Sequence, residues 1–326
     1  MDHAVSRDTP RVAVIGAGMT GLSCARELSR HGLAPVVLEK SRGLGGRMAS
    51  RRVQAQALDH GAQFFTVRDP VFARAVRELR AAGAVAEWAP RQGQPHGAVG
   101  WYVGTPSMSR SLRTWSKGME VRTRVRVQAV EAGADGCRVH LEEGSELFDV
   151  VACSAPAPQT RELCAGLADV GKALEPVQMA PCWALMARFQ ASLDTTLDAL
   201  RPGHPVLAWA CRHGSRPQRG SQPEAWVVHA TPEWSAAHLE DAPDPVTAEL
   251  LDALAQVLEQ PLPTLLDAQV HRWRHAMVTE PLGQPFLALA DGQLLLGGDW
   301  CLGPRVECAF LSGRAMASAI ITRWLG

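Results

Sequence analysis

The 326-residue sequence contains no C-x-x-C pair, although it has eight cysteines, at 24, 137, 153, 164, 182, 211, 301 and 308. Thiols scattered in this way exclude a disulfide framework and a zinc site, so reduced cysteines and no metal are expected. A surplus of charge is also missing. Thirty-three Lys and Arg balance 33 Asp and Glu, leaving no global field to draw the chain to nucleic acid or anionic lipid. No apolar run approaches the span of a bilayer, and no membrane association is expected. The opening MDHAVSRDTP has neither the apolar core nor the cleavage site of a targeting peptide, which predicts a cytoplasmic location. Internal repeats are lacking, and nothing points to an obligate protein partner. No Ser-His-Asp or paired-carboxylate constellation stands out. Lysine is scarce, at Lys40, Lys117 and Lys172, and Tyr102 is the one tyrosine. What remains is 46% hydrophobic and 20% charged, an ordinary soluble globular composition whose length favours two lobes over one core.

The strongest local signal is RVAVIGAGMTGLSCARELSRHG followed by APVVLE. Val12 to Ile15 is a β-branched run suited to a strand buried on both faces, and Leu22, Ala25 and Leu28 recur at helical spacing. Gly32 is placed to cap that helix, and a second buried strand ends at Glu39. Gly16, Gly18 and Gly21 therefore form G-x-G-x-x-G at a strand-to-helix junction, with an acid a little over 20 residues on. The spacing predicts a dinucleotide site: a tight turn at Gly16, open backbone at Gly18, close packing at Gly21, and a carboxylate for a ribose at Glu39. Met19 and Thr20 sit within the same turn. The following stretch LEKSRGLGGRM adds Lys40, Arg42, Gly45, Gly46 and Arg47, glycines and positive charge in one short loop.

Further along, Asp69-Pro70 opens a helix ending at Gly83, and PSMSRSLRTW reads as a second helix. VRTRVRVQAVEA, CRVHLEE and FDVVACSAP read as a meander ending in a buried strand. Beyond Pro156, strands are predicted at 181–190, 205–212, 225–230 and 268–275, with a helix at 245–259. The loop GSRPQRGSQPE between two of them is expected to be mobile and exposed. The chain closes on a hairpin turn, a buried strand, a loop and a long apolar helix.

Seven stretches in order, VIGAGMTGLSCA, LEKSRGLGGRM, LDHGAQFFTVRDPVF, SAPAPQT, VVHATPEWS, HRW and GGDWCLGPRVECAFLSG, resemble the bacterial renalase-like flavoproteins of the wider amine oxidase superfamily. The resemblance implies an α/β fold: a Rossmann-like FAD-binding domain with a second α+β substrate domain built on an antiparallel sheet. The expected boundaries are 1–69, 105–158 and 286–326 for the first and 70–104 and 159–285 for the second. It implies noncovalent FAD, with Glu39 on the adenosine ribose, Gly45 and Gly46 beside the cofactor, and Arg47 offsetting pyrophosphate charge. Gly61, Ala62 and Gln63 would pass the flavin ring, and the Val127 backbone would pair with adenine. Asp299, after Gly297 and Gly298, would bond the ribityl or pyrophosphate side. Val306, Glu307 and Cys308 would open the closing helix toward the flavin pyrimidine edge.

The resemblance also implies chemistry: oxidation of dihydronicotinamide isomers of NAD(P)H, with hydride passing to the flavin and electrons to oxygen, giving NAD(P)+ and hydrogen peroxide. Gln63, Trp183, Trp209, His229, His271, Trp273 and Trp300 are candidates for the substrate side, although plain core packing is the favoured role for any single tryptophan and an equal alternative for each histidine. Arg212, His213 and Arg216 are candidates for a substrate phosphate. Two other functions stand beside this one: a true amine oxidase, which as a family uses a substrate-domain lysine and often paired tyrosines, and a flavin-binding redox protein without turnover. Departures from the family pattern are Cys308 in place of a glycine, Pro304 in the preceding loop, and His60. The Cys308 thiol is either a small apolar filler or, facing the cofactor at a helix N-terminus, a reactive group.

Overall fold

The computed structural model describes residues 9–92 and 99–326, so the opening MDHAVSRD lies outside the described residues. The chain divides into two compact units. The first comprises Met1–Gly46, Trp115–Gln178 and Thr279–Gly326, and the second Arg47–Thr114 and Met179–Val278.

The first unit begins with β1 (Val12–Ile15), α1 (Met19–Arg30) and β2 (Val36–Glu39). All four residues of β1 are buried, as a central parallel strand covered on both faces requires. The chain then enters the second unit through β3 (Ser50–Val53), β4 (Gln56–Asp59) and β5 (Phe65–Thr66), followed by α2 (Pro70–Ala81), β6 (Val85–Trp88), β7 (Trp101–Gly104) and α3 (Met108–Trp115). Asp69 caps α2 by accepting from the Val71 and Phe72 amides at 2.8 and 3.1 Å, with Pro70 at the first helical position.

Back in the first unit come β8 (Glu120–Thr123), β9 (Val127–Gly133), β10 (Gly136–Leu141), β11 (Ser145–Phe148) and β12 (Val150–Cys153), then α4 (Ala157–Leu163) and α5 (Ala168–Ala173). The meander is β9–β10–β11 alone. Arg124 takes a φ of 62° after β8, which breaks the expected long strand and leaves β8 to pair in parallel with β2.

The second passage through the second unit lays down β13 (Gln178–Phe189), β14 (Ala199–Leu200), β15 (Leu207–Arg212), β16 (Glu224–Ala230), α6 (Pro232–Ala237), α7 (Pro243–Leu258) and β17 (Leu265–Glu280). These strands form one sheet in the order β14-β15-β16-β13-β17. Trp183, Leu185, Ala187 and Phe189 alternate along β13 onto the face that packs with Trp226 and Val228 of β16 and with Val246, Leu250 and Leu254 of α7. On the opposite face Arg188 donates to Asp267 at 2.8 Å. The first unit is completed by β18 (Leu287–Leu289), β19 (Leu294–Leu296) and α8 (Val306–Leu325). Its sheet order is β18-β19-β12-β1-β2-β8, parallel except at the β18 edge. No helix among the described residues is long and apolar enough to cross a membrane.

The unit boundaries differ from the expected ones in both directions. Residues 47–69 and 105–114 fall in the second unit, because Asp59 of β4 accepts from the Met108 amide at 2.9 Å and from Arg219 at 2.6 Å. Residues 159–178 and 279–285 fall in the first. There Arg161 donates to the Leu174 carbonyl, fastening α4 to the end of α5, and the Leu282 and Gly283 amides donate to Trp300 and Cys301 carbonyls.

Candidate functional site

The first unit builds a nucleotide cradle from the turn after β1. Gly16 has a φ of 98° and its amide donates to the Leu38 carbonyl, which ties the turn to β2. A Cβ on Gly21 would stand 1.9 Å from the Gly16 carbonyl oxygen, so only glycine lets α1 start this close to the turn. Ser154 buttresses the arrangement, donating to the carbonyls of Ile15 and Gly16 at 2.7 and 3.2 Å. Ser154 opens the stretch SAPAPQT, but its contact with the glycine turn was not legible, because the turn lies more than 130 residues earlier in the chain.

Glu39 is buried at the end of β2, and its carboxylate accepts from the Ala17 amide at 2.9 Å and the Ser41 amide at 2.7 Å. Each oxygen is thus oriented by one backbone donor and keeps lone-pair capacity for a vicinal diol. Met19 and Thr20 are buried in the first turn of α1, whose N-cap Gly18 offers no side-chain cap and which has no acid in its first turn. Its leading amides are therefore suited to an anion. The Gly45 amide donates to Ala17, and Gly46 lies against Gly18, so the loop closes over the same turn. Lys40 is exposed and donates to Gln159 at 3.1 Å, and Arg42 is an exposed loop residue.

After β19, the Gly298 amide donates to Ser312 Oγ, Asp299 is buried, and α8, which packs on α1, begins at Val306 behind Arg305, which provides no side-chain cap. The amides of Val306, Glu307 and Cys308 lead that helix. Glu307 and Cys308 are buried, and Cys308 Sγ lies 3.7 Å from where a Cβ on Gly303 would stand, in the position of a small filler. Val127 opens β9. Two uncapped helix starts, a glycine turn and an oriented carboxylate in one unit fit a dinucleotide cofactor, the anion at α1, the ribose at Glu39 and an electron-rich ring edge at α8.

The second unit carries a cluster of imidazoles, indoles and guanidinium groups. Arg47 donates to the Ala276 carbonyl at 3.3 Å, and its own carbonyl accepts from Ala62. Gly61 must be glycine, as a Cβ there would meet the Arg47 carbonyl oxygen at 2.0 Å. Next to it His60 stacks on Trp273 at 5.1 Å and meets His271 edge-on at 4.7 Å, while Trp273 Nε1 donates to the His60 carbonyl at 3.0 Å. Arg51 Nη2 lies 3.2 Å from His271 Nδ1, and His229 Nε2 lies 3.2 Å from the His60 carbonyl and 3.3 Å from Gln63 Nε2. Burial, then His271 and Arg51, push His60 down to about 3. Burial brings His229 to about 4, and burial with Arg51 brings His271 to about 4. All three rings are neutral at pH 7.

Gln63 is buried, with its Oε1 accepting from Cys211 Sγ at 3.1 Å and from Arg216. Trp209 packs against Phe64 and Trp101, and Arg201 caps all three faces at 5.1, 5.7 and 5.8 Å respectively. Trp101, Arg201 and Arg51 were not legible as site residues, because none lies in a motif and their approach depends on strands far apart in sequence, whereas Asp59 and Phe64 stand within LDHGAQFFTVRDPVF but carry no signal of their own there.

Two substrate-side candidates are core residues instead. Trp183 is 3% exposed within the apolar cluster of the second unit and donates to the His238 carbonyl. Trp300 is fully buried in the first unit and donates to Ala155. The loop GSRPQRGSQPE is a further correction. It holds Arg216 at 2% exposure and the Arg219 side chain at 2%, drawn inward by Gln63 and Asp59. Arg212, beside it, forms an ion pair with Glu224 at 3.1 Å, and His213 is buried.

The NAD(P)-binding Rossmann-like domain family matches residues 14–79, and the flavin containing amine oxidoreductase family matches residues 86–321. Renalase of Mus musculus is 26% identical over 322 residues, covering 89% of this chain and 92% of its own. Among solved structures, cyclohexylamine oxidase from Brevibacterium oxydans superposes with a TM-score of 0.77 at 11% identity, over 98% of this chain and all of that one. Putrescine oxidase with putrescine bound gives 0.74 at 13% identity, over 97% and 99%. The last two show the fold, an α/β nucleotide-binding domain with a second, antiparallel-sheet domain. With the match running over most of its length and the cradle built as described, the chain belongs to the flavin containing amine oxidoreductase family and is a flavin-dependent oxidoreductase.

Proposed function

We propose that the protein oxidises dihydronicotinamide isomers of NAD(P)H, using noncovalently bound FAD and passing the electrons to oxygen to give NAD(P)+ and hydrogen peroxide. The observation that carries this reading is that the second unit has no lysine, since Lys40, Lys117 and Lys172 all belong to the first, and that its clustered histidines are neutral. Amine oxidation with a substrate-domain lysine has no group to use here. The lone Tyr102 packs on Phe65 with Arg80 over its ring. Transfer of a hydride from a dihydronicotinamide needs no acid or base from the protein, only position and shielding. The renalase similarity points the same way.

FAD, when bound, supplies the hydride acceptor and the reductant of oxygen. The chain's own residues hold and bias it. Glu39 takes the adenosine ribose, the leading amides of α1 the pyrophosphate, and those of α8 the edge where negative charge gathers on reduction. Gln63, Trp209, His229, His271 and Trp273 are assigned to substrate contact, with flat faces for a nicotinamide and imidazoles that do not compete as cations. The eight free thiols suit a reducing, cytoplasmic setting.

The deciding measurement is anaerobic mixing. Dihydronicotinamide isomers should bleach the flavin far faster than NADH, putrescine or cyclohexylamine, and admission of air should restore the colour with one peroxide per NAD+. Rapid bleaching by an amine and none by the isomers would reverse the assignment. Acid precipitation should release all the pigment, and pigment left on the protein would contradict noncovalent binding. Glu39→Ala should weaken cofactor retention by about 1.5–3 kcal/mol, the range for removing a charged hydrogen-bond partner. Full retention on dilution would show that the carboxylate serves only the Ala17 and Ser41 amides.

A further inference from the structure

The buried cluster around Arg216 holds more positive charge than its acids neutralise. Arg216 is 2% exposed. Its Nη2 donates to Gln63 and Cys211, and its Nε and Nη1 have no hydrogen-bond partner among the described residues. Arg219, its side chain 2% exposed, gives Nη2 to Asp59 and the Gly104 carbonyl, and its Nε and Nη1 are likewise without partners among the described residues. His213 is 2% exposed with Nδ1 in the same condition. The four groups are neighbours: Gln63, which accepts from Arg216, donates to the Asp59 carbonyl at 2.5 Å, Arg219 reaches the same aspartate, and the Arg216 amide donates to the His213 carbonyl at 3.3 Å; burial, then Arg216, push the His213 ring down to about 3.

The charges can be counted. Two guanidinium groups face one carboxylate, and that carboxylate also accepts from Ser50 and the Met108 amide. The Cys211 thiol is raised above its ordinary value by burial and stays uncharged, and His213 is neutral. Glu224, on the adjoining strand, is engaged by Arg212 and Trp226. Trp88 offers Arg216 a ring face at 5.0 Å, an attraction for the cation that supplies no acceptor to its N–H groups. One net positive charge and four guanidinium donor atoms are thus enclosed, a combination that strongly favours a counterion.

We propose that this cluster binds a small monovalent anion of the halide class, held by the open donors of Arg216 and Arg219 with His213 Nδ1–H beside them. The single net charge selects a monovalent ion over sulfate or phosphate, and full enclosure selects a small, weakly hydrated one. Chloride and bromide fit, and a bulky organic anion does not. The occupant would pin the 214–223 loop against β4, and it stands independently of what the flavin oxidises.

Thermal melting of the holoenzyme tests it at constant ionic strength, with chloride, bromide or gluconate as the anion. Chloride and bromide should raise the midpoint saturably by about 2–4 °C over gluconate, the shift expected when a ligand binds only the folded state. Arg216→Met should lose that increment. Crystals grown in bromide should show an anomalous peak within hydrogen-bond distance of Arg216 and Arg219, a result that does not depend on the variant folding. Equal midpoints in all three salts, or bromide found only elsewhere or replaced by water at the cluster, would overturn the proposal.

Discussion

Asp59→Asn is expected to lower the free energy of unfolding by about 3–5 kcal/mol, the scale for breaking a fully buried ion pair from one side. Asp59 is 0% exposed and accepts from Arg219 at 2.6 Å, Ser50 at 2.5 Å and the Met108 amide at 2.9 Å, so it joins β4, α3 and the 214–223 loop at one point. Burial alone would push its carboxyl up. Arg219, Arg216, Ser50 and the Met108 amide outweigh that and hold it below the ordinary carboxylate range. Its contribution is present above the unfolded pKa and lost as pH falls through the folded one. Urea denaturation at pH 7.5 measures the loss. Adding Arg219→Met should recover part of it, because the damage lies in the uncompensated guanidinium left behind. A single variant with the parent's midpoint would mean that the pair does not hold the loop.

The second large effect is a sensitivity to mild acid. Ordinary histidines titrate near 6.5, whereas burial, then His271 and Arg51, brings His60 to about 3, burial, then Arg216, brings His213 to about 3, and burial brings His229 and His271 to about 4. Below pH 6.5 the unfolded chain takes up protons that the folded one refuses. Stability is therefore full above 6.5 and drains as pH falls toward the folded values. Each unit of depression is about 1.4 kcal/mol, discounted for His271, which is the least buried of the four, so about 6–8 kcal/mol should go between pH 7.5 and 5. Denaturation midpoints across that range measure it, and His60→Gln should flatten the slope. A flat profile in the parent would show that the rings are charged or exposed.

How much of this was legible in the sequence follows the range of the signal. The nucleotide cradle was readable because its parts are local: Gly16, Gly18, Gly21 and Glu39 fall within one βαβ unit, where spacing alone fixes who meets whom. The strands β13, β15, β16 and β17 and the helix α7 of the second unit were readable from alternation and periodicity. The 214–223 loop was not. Arginines among glycines and prolines carry the composition of a solvated loop, and the partners that draw Arg219 inside, Asp59 and the Gly104 carbonyl, lie more than 110 residues earlier. Trp183 and Trp273 illustrate the same point. Both are tryptophans on strands of one sheet, and which one fills the core and which stacks on His60 is decided by the face that α7 covers. The unit boundaries escaped for a similar reason, since a chain that crosses four times leaves no composition change to mark each crossing.

That crossing pattern bears on how the protein is made. The parallel sheet of the first unit acquires β19 beside β12, and α8 against α1, only from residues that follow the whole of the second unit in chain order. During synthesis the glycine turn and Glu39 emerge early, but Ser312, which holds the Gly298 amide, and the leading amides of α8 come some 270 residues after Glu39. The nascent chain must keep β1, β2 and α1 waiting with their apolar faces uncovered while the intervening sheet forms. With the flavin held by α8 as proposed, cofactor capture is a late event, and a ribosome stalled before residue 306 is expected to carry a chain that does not retain flavin.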